Sequence, residues 1–169
     1  MTTAWDVAAT VVDPELPMLT LADLGVLREV EVEDDGAVVV AITPTYSGCP
    51  AMATMRDDLV RRLNDEGFSD VRVRVTLHPA WTTDWITPGG KAALAAAGIS
   101  PPGRVSTSST TGVRSGPVAL SLTPIRRAVH CPRCASADVE LISEFGSTAC
   151  KAMYRCRACL EPFDHVKEI

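Results

Sequence analysis

Apolar and polar positions divide the chain into short elements whose spacing changes from helical to alternating and back. Trp5, Ala8, Ala9 and Val12 recur at helical spacing between Ala4 and Val12, and Asp13-Pro14-Glu15-Leu16-Pro17 stops that run, because two prolines forbid its continuation. From Leu24 to Glu33, Val26, Val30 and Val32 are interleaved over the second half with Glu29, Glu31 and Glu33, the alternation of a strand with one face in solvent. Asp34-Asp35-Gly36 reads as a hairpin turn with glycine available for positive φ. Ala37 to Thr43 is apolar almost throughout, as expected of a central strand covered on both faces. A loop over Pro44 to Pro50 leads into a helix over Ala51 to Glu66, with Met52, Met55, Leu59 and Leu63 on one stripe and Gly67 at its end. Val71, Val73, Val75 and Leu77 then alternate with Arg72, Arg74, Thr76 and His78 in a third strand. Residues 82 to 97 read as helical in two pieces broken around Pro88-Gly89-Gly90, the second capped by Thr87 and closed by Gly98.

A hairpin, a helix and a third strand make a small two-layer α+β domain with a three-stranded sheet over residues 1 to 99. From Ser100 the composition shifts to Ser, Thr, Pro and Gly, and residues 100 to 123 read as a flexible linker. So little apolar surface cannot offset the entropy of ordering, so the modules on either side are expected to move relative to one another unless a partner fixes them. Val118 to Ile125 reads as a short strand at the edge of the second module, residues 124 to 169.

Charge separates the modules further. Residues 1 to 99 hold 7 Lys/Arg against 15 Asp/Glu, a net −8, whereas residues 124 to 169 hold 7 against 6, a net +1. An acidic main domain repels phosphate backbones and suits a protein partner or a cation, which argues against nucleic acid. No run of eighteen apolar residues predicts a membrane span.

Five of the six cysteines lie in the last forty residues, four of them as Cys131-Pro-Arg-Cys134 and Cys156-Arg-Ala-Cys159, two knuckles twenty-one residues apart. Each knuckle places two thiolates on a tight turn, and the intervening chain can fold back as a hairpin, so the four converge on one tetrahedral site. The expected module is a zinc ribbon. So short a tail has little apolar core, and thiolate–metal bonds supply the missing folding free energy. Disulfides are the competing reading, but nothing at the start of the chain looks like a signal peptide, and an intracellular, cytoplasmic setting keeps thiols reduced. Zinc and iron remain open, because an iron–sulfur cluster uses the same ligands and Cys150 offers itself as a further one. Phe145, Tyr154 and Phe163 read as the ribbon's miniature core, and His130 and His165 flank the knuckles.

Outside the ribbon the informative residue is Cys49. Pro50 follows it, and proline at the first position of a helix makes Cys49 the expected N-cap, where backbone N–H groups and the helix dipole favour a thiolate. Such a thiol suits a transient metal or cluster ligand; the plainer alternative is a small apolar residue packed under the loop. Asp13 and Glu15 either face a site near Cys49 as oxygen ligands or only cap and solvate a turn. His78 is expected to face solvent. Trp81, Trp85 and Tyr46 form either an aromatic patch for a partner or part of the core, with at least one Trp in the core.

With Asp13-Pro14-Glu15-Leu16-Pro17, the hairpin and the loop ending in Gly48-Cys49-Pro50, the first domain resembles the small α+β family of iron–sulfur assembly factors that includes SufT and the eukaryotic cytosolic cluster-targeting proteins. His78-Pro-Ala-Trp-Thr-Thr-Asp-Trp85, both knuckles, Ser143 to Cys156 and Glu161-Pro-Phe-Asp164 are similar to the PaaD family, also named PaaJ, encoded with the bacterial ring-1,2-phenylacetyl-CoA epoxidase and counted among its subunits. The resemblance covers nearly the whole chain except the linker. It implies an accessory role in aerobic phenylacetate breakdown, as a maturation factor for the epoxidase's di-iron site and its reductase's iron–sulfur cluster. It also implies the complex's subunits, including the reductase, as partners, and leaves a homodimer open. Cys49, Asp13 and Glu15 match the assembly family's cysteine and acidic motif; Cys131, Cys134, Cys156 and Cys159 match the ribbon's ligands, with zinc structural and iron or a cluster transient at Cys49. Ala135 and Leu160 depart from the pattern, standing where zinc ribbons often use glycine for a left-handed turn.

A stand-alone oxygenase is not expected. The chain has no Glu-x-x-His pair for a di-iron site, no two-His facial triad among its three histidines and no glycine-rich nucleotide loop. The alternative to a maturation factor is an interaction or electron-transfer component of the oxygenase complex with a redox iron site in the tail.

Overall fold

The computed structural model describes residues 3–46, 48–103 and 128–169. The linker beyond Gly103 and the strand expected over Val118 to Ile125 lie outside the described residues. The first domain runs α1 (Ala4–Ala8), β1 (Leu27–Val32), β2 (Val38–Ile42), α2 (Met52–Asp65), β3 (Val71–Val75), a 3-10 turn (Thr83–Trp85) and α3 (Pro88–Ala96). The ribbon follows with β4 (Val139–Ser143), β5 (Lys151–Cys156) and β6 (Pro162–Val166).

The first sheet has the order β1-β2-β3, antiparallel between β1 and β2 and parallel between β2 and β3. Its register explains the charge pattern. Val30, Val40 and Val73 lie side by side toward the helices, while Glu29 pairs with Ala41 and Ala41 with Arg74 on the other face. Arg74 reaches across the central strand to Glu29, and Arg72 reaches Glu33 at 3.1 Å, so aliphatic stems cover β2 from outside. Central placement and two-sided cover are why β2 is apolar; the exposed ion pairs themselves contribute at most about 1 kcal/mol each.

Two helices press onto the inner face. In α2, Met55, Leu59 and Leu63 are buried, as their spacing predicts, and Gly67 follows in the left-handed region. In α1 the buried residues are Ala4, Val7 and Ala8, while Trp5 and Val12 are exposed at 42% and 45%. The expected stripe fails because the helix ends at Ala8, short of both prolines; the chain then turns extended, which points Val11 inward and Val12 outward. Val12 bridges Thr20, and the Asp13 N–H donates to the Leu19 carbonyl at 2.9 Å, closing residues 13–19 into a loop on a two-residue stem.

Gly25 lies against the 3-10 turn at Trp85. It takes φ +71°, and a Cβ there would stand 2.6 Å from Cβ of Trp85. Trp81 is core, donating its indole N–H to the Leu24 carbonyl at 2.9 Å; Trp85 is half-buried beneath the Arg28 guanidinium, 3.7 Å from its ring. His78 is exposed, as expected. Thr87 caps α3 by accepting the Gly90 N–H at 3.0 Å, and Gly98 closes it with φ +79°.

The ribbon is a three-stranded antiparallel sheet in the order β4-β5-β6. Its core holds Val129, Cys131, Ala152, Tyr154, Cys156 and Phe163, with Tyr154 and Phe163 stacked at 6.0 Å. Phe145, expected inside, is 68% exposed beneath the Lys167 ammonium. It sits on the hairpin tip after β4, beyond the reach of that small core. The architecture is thus α+β with an added ribbon, and no helix among the described residues is long and apolar enough to cross a membrane.

The two domains are in contact, which the linker composition gave no reason to expect. The Ser100 N–H donates to the Asp164 carbonyl at 2.8 Å and the Val166 N–H to the Ser100 carbonyl at 3.1 Å, so β6 gains a short parallel partner. The Ser100 hydroxyl lies 3.2 Å from Nδ1 of the fully buried His165, and Val166 enters the core of the first domain. At the chain's end the Thr83 N–H donates to the Ile169 carbonyl at 3.1 Å.

Candidate functional site

The sequence points to two thiol sites, and the fold positions them separately. The first is the knuckle set. Sγ atoms of Cys131, Cys134, Cys156 and Cys159 all lie within 4.8 Å of one another, with Cys131–Cys159 at 3.7 Å and Cys134–Cys156 at 3.6 Å. Thiolates at about 2.3 Å around a tetrahedral metal stand about 3.8 Å apart, so the spacing fits one ion and is far too long for disulfides. Ala135 and Leu160 take φ of 59° and 64°, so the knuckles keep the left-handed turn without its usual glycine. Backbone N–H groups, first that of Cys159, outweigh burial and hold the Cys156 thiol down at about 7. For Cys134 the Ser136 N–H pulls downward, but hydrogen bonds to the neighbouring thiols and burial win, and it is pushed up to about 12. Four crowded thiols cannot all ionise without a cation among them.

The second site is a cavity between the domains. Asp13, Glu15, Cys49 and Trp81 line it from the first domain, and Cys150, Val166 and Lys167 from the ribbon. Cys49 is half-buried on a turn, its N–H donating to the Tyr46 carbonyl at 3.2 Å. It does not cap the helix as its Pro50 neighbour suggests: α2 starts at Met52 with Ala51 as its cap and no side chain bonded there. Nor is the thiol acidified. Burial raises it foremost, the Ala51 N–H draws it back, and Glu15, Asp13 and Cys150 push it up again. With the helix end displaced, burial first and the neighbouring negative groups after it outweigh what the Ala51 N–H offers a thiolate.

Asp13 is only 4% exposed. Its Oδ1 accepts the N–H groups of Glu15 and Leu16, both at 2.8 Å, which shapes the loop that carries Glu15. Burial raises its carboxyl, against those two bonds and the attraction of Lys151 from the ribbon. Glu15, half-buried, is the carboxylate whose field acts on both Cys49 and Cys150.

Cys150 stands apart from the knuckle set, although an iron cluster in the tail would recruit it there. It precedes β5 while Cys156 ends it, and six residues of extended strand put about 20 Å between them. The available signal is arithmetic: once four cysteines are assigned to one tetrahedral set, Cys49 and Cys150 are the two left over.

The sequence compares with known proteins in two parts and as a whole. Residues 3–75 match the family "Iron-sulfur cluster assembly protein", and residues 116–167 match "PaaD zinc beta ribbon domain". Over 163 residues, 96% of this chain and 90% of the relative, it is 45% identical to an Escherichia coli protein that carries the name of a 1,2-phenylacetyl-CoA epoxidase subunit. The chain belongs to the PaaD family. Its first domain alone is 33% identical, over 50% of this chain and 82% of the relative, to the Fe-S protein maturation auxiliary factor YitW of Bacillus subtilis. A crystal structure of a DUF59 domain from Bacillus anthracis superposes with a TM-score of 0.50 at 26% identity, covering 54% of this chain and 87% of that one. The chain thus joins a domain of the iron–sulfur assembly type to a ribbon whose four cysteines form a metal-binding group.

Proposed function

We propose that this chain is an accessory maturation factor for the metal centres of a multicomponent phenylacetyl-CoA epoxidase in aerobic phenylacetate degradation. The observation that carries this reading is that Cys49 and Glu15 of the domain shared with iron–sulfur assembly proteins line one cavity, in a chain whose ribbon is of the PaaD type. The substrate is iron, as an ion or a cluster, and the partners are the epoxidase subunits, including the reductase, in the cytoplasm.

Each residue has a physical part. Cys49 is the soft ligand: kept a neutral thiol by burial and neighbouring charge, it releases its proton when a cation arrives. A thiol that holds its proton suits transfer, because the proton competes with the cation for the sulfur and lowers the apparent affinity. Asp13 fixes the loop, and Glu15 offers a hard oxygen beside the sulfur. Cys131, Cys134, Cys156 and Cys159 hold structural zinc, which ties the knuckles together and supplies folding free energy; four protein ligands leave no open position for chemistry. The role is therefore accessory and not catalytic.

The test is coexpression of the epoxidase subunits with the Cys49→Ala chain. Loss of iron from the client and of epoxidase activity is expected; full cluster content and full activity overturn the proposal. Metal analysis after anaerobic purification decides the ribbon: one zinc per chain and no colour are expected, whereas iron–thiolate absorption supports a redox component of the oxygenase.

A further inference from the structure

Cys150 is the one cysteine that neither the knuckle set nor the first domain uses, yet the ribbon presents it to the Cys49 cavity. We propose that Cys49 and Cys150 are the two thiolate ligands, and Glu15 an oxygen ligand, of one site built by both domains for a single thiophilic divalent cation of the ferrous class. The inference rests on the preceding reading of Cys49 as the cargo ligand and adds a second thiolate from the ribbon.

Cys150 is held where it is. The Thr148 hydroxyl lies 3.0 Å from its sulfur, and its carbonyl accepts the Lys167 N–H at 3.0 Å. The loop that carries it is closed by the Gly146 N–H donating to the Lys151 carbonyl at 2.7 Å, where a Cβ would stand 2.6 Å from Oδ1 of Asp164. Lys151, the next residue, is itself buried, its ammonium 4.0 Å from the Asp164 carboxylate and near enough to Asp13 to draw that carboxyl down. Ser100, His165 and Val166 fasten the ribbon beside it.

Chemistry selects the ligand class. Two thiolates and a carboxylate form a mixed soft and hard donor set that suits ferrous iron and its late first-row neighbours over magnesium or calcium. The buried ammonium of Lys151 offsets part of the negative charge such a site gathers. Size selects the nuclearity. The cavity offers about 20 Å³, room for one water-sized particle, so a lone ion enters while the domains stay docked. Among the described residues only the knuckle set already brings three ligand atoms within 4.8 Å, so the Cys49, Cys150 and Glu15 side chains close around the ion when it enters. A thiolate from each domain makes cargo binding a bond across the interface: undocking the ribbon removes half the sulfur and releases the ion.

The experiment uses the full chain, zinc-loaded in the ribbon and kept anaerobic, titrated with cobalt(II) as a spectroscopic probe. Wild type, Cys49→Ser, Cys150→Ser and the double variant are compared by thiolate-to-cobalt absorption per bound cobalt. Wild type is expected to take one cobalt beyond the double variant. Each single variant should show about half the absorption per cobalt and at least about tenfold weaker binding, since losing even an outer-shell partner costs 10–100-fold. Wild-type binding by Cys150→Ser, with binding lost in Cys49→Ser, overturns the two-thiolate site and leaves the Cys49 reading standing. No cobalt in wild type beyond the double variant overturns both. Cadmium-113 spectra of the wild-type chain decide without any variant: a two-thiolate resonance beside the four-thiolate one supports the site, and a one-thiolate resonance overturns it.

Discussion

Asp13 gives the sharpest test of how the cavity is built, because its two hydrogen bonds and its charge act in opposite directions. Replacing it with alanine removes the acceptor for two N–H groups at 2.8 Å, those of Leu16, in a buried bond, and of Glu15, in a part-buried one. An unsatisfied buried donor costs about 1–3 kcal/mol, and the Glu15 amide is partly rescued by water, so Asp13→Ala should cost about 2–4 kcal/mol. Asparagine keeps an oxygen for both donors and sheds the buried charge, so Asp13→Asn should stay within about 1 kcal/mol of wild type near neutral pH. The sign with pH follows from the carboxyl being raised above its ordinary 3.8 by burial. The folded chain binds that proton more tightly than the unfolded one, so wild type gains stability relative to Asp13→Asn as pH falls through the raised value toward 3.8; above it the ionised carboxylate carries its desolvation cost. Urea unfolding followed by tryptophan fluorescence, at constant zinc, reads all three proteins. Equal destabilisation by alanine and asparagine at pH 7 would refute the hydrogen-bond account, and a wild type that loses ground to Asp13→Asn on acidification would refute the charge account.

Two further outcomes are expected. Chelating the metal should unfold β4–β6, because a core of six buried residues cannot hold the ribbon, and should separate Cys150 from Cys49; a bifunctional thiol reagent that links the pair in the holo chain but not in the stripped one checks both. Leu160→Gly should stabilise the ribbon by about 0.5–1 kcal/mol, the left-handed strain relieved at φ 64° being larger than the entropy glycine adds to the unfolded chain, and Ala135→Gly by a similar amount. Resistance to chelator measures it, and a lower midpoint in both variants counts against the strain.

Much of the molecule is legible in its residues because the deciding interactions are local. Strand alternation, the Met55-Leu59-Leu63 stripe, the Thr87 cap and the turn glycines express geometry within a few residues, and two Cys-x-x-Cys turns carry their own ligand geometry. What depends on chain packing is not legible in that way. Whether Val11 or Val12 points inward turns on where α1 ends, and Phe145 looks like core because nothing in its neighbours shows that the hairpin tip outruns that core. The expected acidity of Cys49 reverses because burial, Glu15, Asp13 and Cys150 surround it, and all but the burial come from elsewhere in the chain. Residue order alone settles most elements of the two domains, the four cysteines that converge in the ribbon and the family. Packing settles the rest: the ribbon docks through Ser100, His165 and Val166 and so carries Cys150 to Cys49, because closeness between residues a hundred positions apart is set by which surfaces pack and not by their spacing along the chain.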